Sequence, residues 1–198
     1  MKKLGFDLIF LGAPASGKDT QARLLANHYE LKRVESGEYF RRHIRDKSAF
    51  GKTLRRTVGQ AKPAPVAVMK IFLTKEIQIA PKKKNLVFVG NPKLKPEAQF
   101  LVKLLKKHSR DFLAFYVKLP VKEIIKRSFY RMRHDDLRKA LIERRINWHK
   151  KQVGQTVKYF QALGKLKFIN GNQHIFKVTR DIQKTINDYA RSQANRTT

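Results

Sequence analysis

Apolar and polar positions along this chain follow two alternating rhythms. Short, nearly continuous apolar runs at Phe6–Leu11, Asn85–Val89, Phe112–Leu119 and Lys165–Ile169 read as buried strands. Between them apolar residues recur every three or four positions. That spacing predicts helices over Lys18–Tyr29 (Leu24, Leu25 and His28 on one face), Val66–Ile79 (Met69, Phe72, Leu73, Ile77) and Pro96–His108 (Ala98, Leu101, Leu104, Leu105). It also predicts Val121–Met132 (Val121, Ile124, Ile125, Ser128, Met132) and Ile175–Tyr189 (Ile175, Val178, Ile182, Ile186, Tyr189). Two short helices are expected at Gly37–Asp46 and Gly51–Gly59. A longer one covers Asp135–Lys151, continued or followed by another to Ala162. Ser192 to Thr198 read as a frayed polar tail. Strands alternating with helices imply an α/β fold, a mainly parallel sheet covered by helices.

Length and composition narrow the picture. The 198 residues suit one compact domain with small insertions. The absence of cysteine excludes a disulfide scaffold, a zinc ribbon, an iron–sulfur site and a cysteine nucleophile, and it fits a reducing cytoplasm. The six histidines show no metal-ligand spacing, so no protein-only metal site is expected. Met1 to Gly17 mimics a secretory leader, but Asp7 interrupts its apolar stretch. No apolar run approaches the roughly 20 residues of a membrane-spanning helix. The outlier is charge: 45 Lys and Arg against 15 Asp and Glu give a formal +30. Such a surface attracts polyanions, nucleic acid among them.

The sharpest local signal is Gly12-Ala13-Pro14-Ala15-Ser16-Gly17-Lys18, a GxxxxGK run between a strand and a helix. A tight loop of small residues can aim several backbone N–H groups at a phosphate, with the positive end of the next helix behind them. Lys18 adds a full charge near the outer phosphates. Asp19 stands where a hydroxyl is common, and the hydroxyl follows at Thr20. Arg127 and Arg131, one turn apart, share a helix side. Arg144 falls on a stripe with Leu137, Leu141 and Trp148, where a guanidinium is best explained by a charged ligand.

Gly12 to Gln21 resembles the loop of adenylate kinases, usually GxPGxGKGTQ, and further segments follow in the family's order. Ser36-Gly37-Glu38-Tyr39-Phe40-Arg41 looks like TGDxLR, and Gly59 to Pro63 like the stretch bordering the acceptor base. Gly90-Asn91-Pro92-Lys93 stands where the family has GFPR, and Val89 where it has the aspartate that orients hydrated Mg²⁺. Glu97 replaces a glutamine that reads adenine. Arg133-His134-Asp135-Asp136 resembles R-x-D-D, and Arg144 keeps the spacing of a later arginine. Only Met132 separates Arg131 from Arg133, which resembles the short-lid type carried to an extreme. Asn170 to Gln173 resembles the turn that contacts the ATP base.

The resemblance implies a P-loop NTPase-type fold with a monophosphate-binding insert at residues 36–66 and a short lid at 127–149. The core is 1–35, 67–126 and 150–191, and the tail 192–198. It implies a cytoplasmic, monomeric nucleoside monophosphate kinase using ATP, Mg²⁺ and, by preference, AMP. Lys18, Arg131, Arg133 and Arg144 would be catalytic. Residues 12–20, Arg127 and Gln173 would bind ATP. Ser36, Arg41, Lys62, Gly90, Lys93, Glu97, Arg133 and Arg144 would bind the monophosphate. With so short a lid, closure on the ATP side should be small, and more ATP should be lost to hydrolysis. The changes at Val89, Asn91, Lys93 and Glu97 motivate an alternative: a catalytically weak nucleotide-binding protein. The charge motivates another, an RNA- or ribosome-associated protein on the same scaffold.

Overall fold

The computed structural model describes residues 4–60, 62–81, 84–130 and 139–195, and of residues 139–141 and 145 the backbone alone. Five parallel strands form one sheet among the described residues: β1 (Asp7–Gly12), β2 (Lys32–Glu35), β3 (Leu86–Val89), β4 (Phe112–Lys118) and β5 (Leu166–Asn170), ordered β2-β3-β1-β4-β5. Around it lie α1 (Lys18–Tyr29), α2 (Ser36–His43), α3 (Ala49–Arg56), α4 (Val66–Gln78), α5 (Lys95–Lys107), α6 (Val121–Tyr130), α7 (Lys139–Ala162) and α8 (Ile175–Ala194).

The central strands are apolar along most of their length because helices cover both faces. Every residue of β1 and β3 is buried. Strand alternation then divides the core into two layers. Ile9, Leu11, Phe88 and Ala114 pack on α4, α5 and Phe160 of α7. Leu8, Phe10, Val87, Phe115 and Val117 face Ala22, Leu25 and Ala26 of α1 and Val178, Ile182 and Ile186 of α8. A smaller cluster of Ala13, Ile124, Ile142 and Ile146 joins α6 to α7 beyond the sheet's C-terminal end.

Asp7, the residue that breaks the apolar start, is fully buried at the opposite end. Arg110 grips it with two bonds (Nε to Oδ2 2.7 Å, Nη2 to Oδ1 2.8 Å), and the Leu86 N–H donates to Oδ1 at 2.8 Å. A buried carboxylate persists only with such a partner set.

Several expectations need correction. β2 was not anticipated: of its four residues Val34 alone is buried, too few for a period to show. The inner face of α1 is Gln21, Ala22, Leu25, Ala26 and Tyr29, while Leu24 is half-buried and His28 exposed. The alanines let the helix approach the sheet closely, and a reading weighted to large side chains misses them. On α5, Leu104 is half-buried and Glu97 is inside. On α8, Ile175 is exposed. α8 also runs on through Ser192, Gln193 and Ala194, so the tail as drawn begins too early. Among the described residues no helix is long and apolar enough to cross a membrane.

Candidate functional site

β1 ends at Gly12, and the chain turns through Ala13–Ser16 into α1, with Ser16 N–H donating to the Ala13 carbonyl at 3.2 Å. The turn is too tight for a side chain at its start. A Cβ on Gly12 would lie 2.7 Å from Ser16 Oγ and 2.9 Å from the Val117 carbonyl oxygen. Ala15 and Gly17 both adopt the left-handed conformation, with φ 57° and 89°. Gly17 is the N-cap of α1 and gives no side-chain bond to the first turn, so N–H groups there remain to serve an anion. The Ser16 hydroxyl, 1% exposed, has no hydrogen-bond partner among the described residues.

Lys18 folds back over this loop. Its Nζ lies 3.4 Å from the Ala13 carbonyl oxygen and 3.2 Å from Asp19 Oδ2. The end of β3 comes alongside: Gly90, at φ 68°, would place a Cβ 3.9 Å from Lys18 Cε. Next comes Lys93, whose N–H donates to Glu97 Oε2 (2.7 Å) and whose carbonyl accepts from Thr156 Oγ1 (2.8 Å). Lys93 is therefore fixed between the start of α5 and the middle of α7.

His149 shows how close these cations stand. It is buried on α7, with Nε2 3.2 Å from the Tyr116 hydroxyl. Burial, then the charges of Lys18 and Lys93, lower its pKa from 6.5 to about 4. Burial and both cations therefore favour the neutral form of this imidazole. The absence of metal-ligand spacing among the histidines gave His149 no role in the sequence reading. The signal that finds it is the true buried stripe of α7: Ile142, Ile146, His149, Val153, Thr156 and Phe160.

That stripe also corrects the placing of Arg144, which is exposed, while Trp148 is half-buried. Leu137 lies outside the described residues, as do Arg131, Met132, Arg133, His134, Asp135 and Asp136. Contact of Phe160 with Phe112, at 5.6 Å between ring centres, sets the rotation of the helix.

Other candidates fall as follows. Ser36 is buried at the start of α2. Arg41 is exposed, and its Nη1 lies 3.2 Å from where a Cβ on Gly37 would be, so it folds along its own helix. Lys62 is exposed, with Nζ 3.0 Å from Gln60 Oε1. Glu97 caps α5: Oε2 accepts from the Lys93 and Leu94 N–H groups, and burial raises its pKa. Val89 turns into the apolar layer, and its side chain offers no oxygen. Asn91, fully buried, donates through Nδ2 to the Val34 and Val89 carbonyls at 3.1 Å, while its Oδ1 has no partner among the described residues. Arg127 donates to the Gly171 carbonyl at 3.3 and 3.4 Å. Gln173 Nε2 donates to the Asn170 carbonyl oxygen at 3.0 Å and to Asp181 Oδ2 at 2.9 Å. Gln21, the last residue of the loop motif, ties α1 to α8. Its Nε2 donates to the Ile175 carbonyl at 3.0 Å, and its Oε1 accepts from Thr179 at 2.8 Å. Among the described residues no three His, Asp or Glu side chains gather to hold a metal. Hard oxygen donors at the loop are the Asp19 carboxylate and the Thr20 hydroxyl, a set that suits a small divalent cation arriving with phosphate.

Comparison with known proteins bears on this arrangement. The model of the family described as adenylate kinase matches residues 10–165. An adenylate kinase of Azobacteroides pseudotrichonymphae is 29% identical over 185 residues, covering 91% of this chain and 96% of that protein. Adenylate kinase 1 of a Nostoc species is 27% identical over 181 residues (90% and 97%), and an adenylate kinase of Bacteroides fragilis 27% over 186 residues (91% and 97%).

Proposed function

The chain belongs to the adenylate kinase family, and from that premise we propose that it transfers the terminal phosphoryl group of ATP to a nucleoside monophosphate, AMP by preference, giving two nucleoside diphosphates. The observation that carries this reading is the convergence of the end of β3 on the loop lysine, with Gly90 lying against Lys18 Cε, since it brings the donor loop and the acceptor strand to one spot. Direct transfer needs that convergence: an acceptor phosphate oxygen attacks the γ-phosphorus, ADP leaves, and no protein nucleophile takes part.

In this reading Lys18 and the loop N–H groups hold the donor phosphates. Arg131, Arg133 and Arg144 surround the moving group, and Arg41 and Lys93 anchor the acceptor phosphate. Ser36, Lys62, Gly90 and Glu97 border the acceptor, while Arg127 and Gln173 flank the donor base. Mg²⁺ brought by ATP would be held by phosphate oxygens with Asp19 and Thr20, and would neutralise charge on the phosphates.

A coupled assay with ATP, Mg²⁺ and AMP, GMP, CMP or UMP in turn tests the proposal. Transfer is expected, fastest with AMP, and Lys18→Ala should lower it about a thousandfold, the scale of losing one charged transition-state contact. ATP binding without transfer to any monophosphate would overturn it in favour of a non-catalytic nucleotide binder. A further variant tests Asp19: Asp19→Ala should depress Mg²⁺-dependent transfer far more than nucleotide affinity.

A further inference from the structure

One surface of the molecule, adjoining the phosphate loop at Ala13, combines an exposed aromatic ring, cations and a hollow. Between α6 and α7, over the C-terminal end of β4, lies a cavity of about 440 Å³. Ile124 and Ile146 supply apolar wall, Tyr116 and His149 line it, and Lys118 and Lys150 border it. Its volume falls in the range of small-molecule sites. Beside it runs β5, which among the described residues pairs with β4 alone and forms an edge of the sheet. Phe168 of β5 is 42% exposed. Its ring meets Tyr116 edge-on at 5.9 Å between centres, and Lys118 Nζ sits 4.0 Å above it.

An exposed lysine such as Lys167 is ordinary protection for an open sheet edge. Phe168 adds what the lysines do not, a ring face on which a flat base can stack. The ammonium over the ring rides on a four-carbon stem, so a flat base can take its place while the charge moves to the adjoining phosphate. The formal charge of +30 selects a polyanion over a lone nucleotide. Stacking selects a strand with exposed base faces over a duplex, which hides them.

We propose that this edge docks single-stranded RNA, one base stacked on Phe168 and neighbouring phosphates held by Lys118 and Lys150. The proposal is independent of phosphoryl transfer. Fluorescence anisotropy of a labelled single-stranded oligoribonucleotide, with the full chain, tests it. Phe168→Ala should weaken binding about tenfold, the scale of one lost base–aromatic stack. Phe168→Leu should weaken it as much, because bulk without a ring does not stack. Both variants should keep the wild-type melting temperature and transfer rate. Lys118→Gln and Lys150→Gln should each flatten the dependence of log affinity on log salt by about 0.7, whereas the double change Lys106→Gln and Lys107→Gln at the end of α5 should leave the stacking contribution intact. Wild-type affinity in Phe168→Ala, or equal affinity for duplex RNA of the same length, would overturn the proposal and leave diffuse attraction of charge alone.

Discussion

The two ends of the sheet solve the problem of buried polarity in opposite ways. At the N-terminal end one carboxylate, Asp7, is sealed inside and fully answered by Arg110 and a backbone N–H. At the C-terminal end burial and the charges of Lys18 and Lys93 hold the His149 imidazole neutral, and Ser16 Oγ and Asn91 Oδ1 lack partners among the described residues. The first end is complete within the chain. The second keeps polar atoms and positive charge beside the loop where β1 ends. Open α/β sheets in general bind ligands beyond the carboxyl ends of their strands.

The contrast can be broken at its strongest point. Arg110→Ala leaves a buried carboxylate without its cation, and should lower unfolding free energy in urea by about 3–5 kcal/mol. A loss under 1 kcal/mol would mean the N-terminal end is not the self-sufficient one.

The next test is pH. As pH falls, the unfolded chain takes up a proton at His149 near 6.5, while the folded protein resists until about 4. Stability therefore declines with falling pH across that window, by up to about 3 kcal/mol, and the decline from this group is complete below it. His149→Gln should remove that component in urea titrations at pH 6.5 and 4.5. An unchanged slope would show that the imidazole is not held neutral.

The smallest effect is at Ala15, a non-glycine residue at φ 57° where the family pattern has glycine. Ala15→Gly relieves left-handed strain and should raise stability by up to about 1 kcal/mol. A measured loss would place the loop's tension elsewhere.

Much of this was legible in the sequence, and the failures have physical causes. The loop at Gly12–Lys18 announces itself because phosphate binding restricts residue type at fixed spacing. The strands of the sheet centre, β1, β3 and β4, read clearly because burial on both faces leaves an unbroken apolar run. β2 escapes because an edge strand of four residues carries one buried side chain. Arg144 was assigned to an inner stripe because a long helix offers several apolar stripes, and only contacts from distant segments, such as Phe112 on Phe160, choose between them. Glu97 was read for the charge it could offer a base, but its carboxylate caps the helix that carries it, a local role the sequence allows equally.

Gln21 has a consequence in time. Its partners Ile175 and Thr179 lie 154 and 158 positions further along. During synthesis the first loop emerges long before the last helix that braces it. The anion cradle near the start of the chain therefore stays unfinished until α8 has been made and has docked, which couples the birth of the site to the final step of folding.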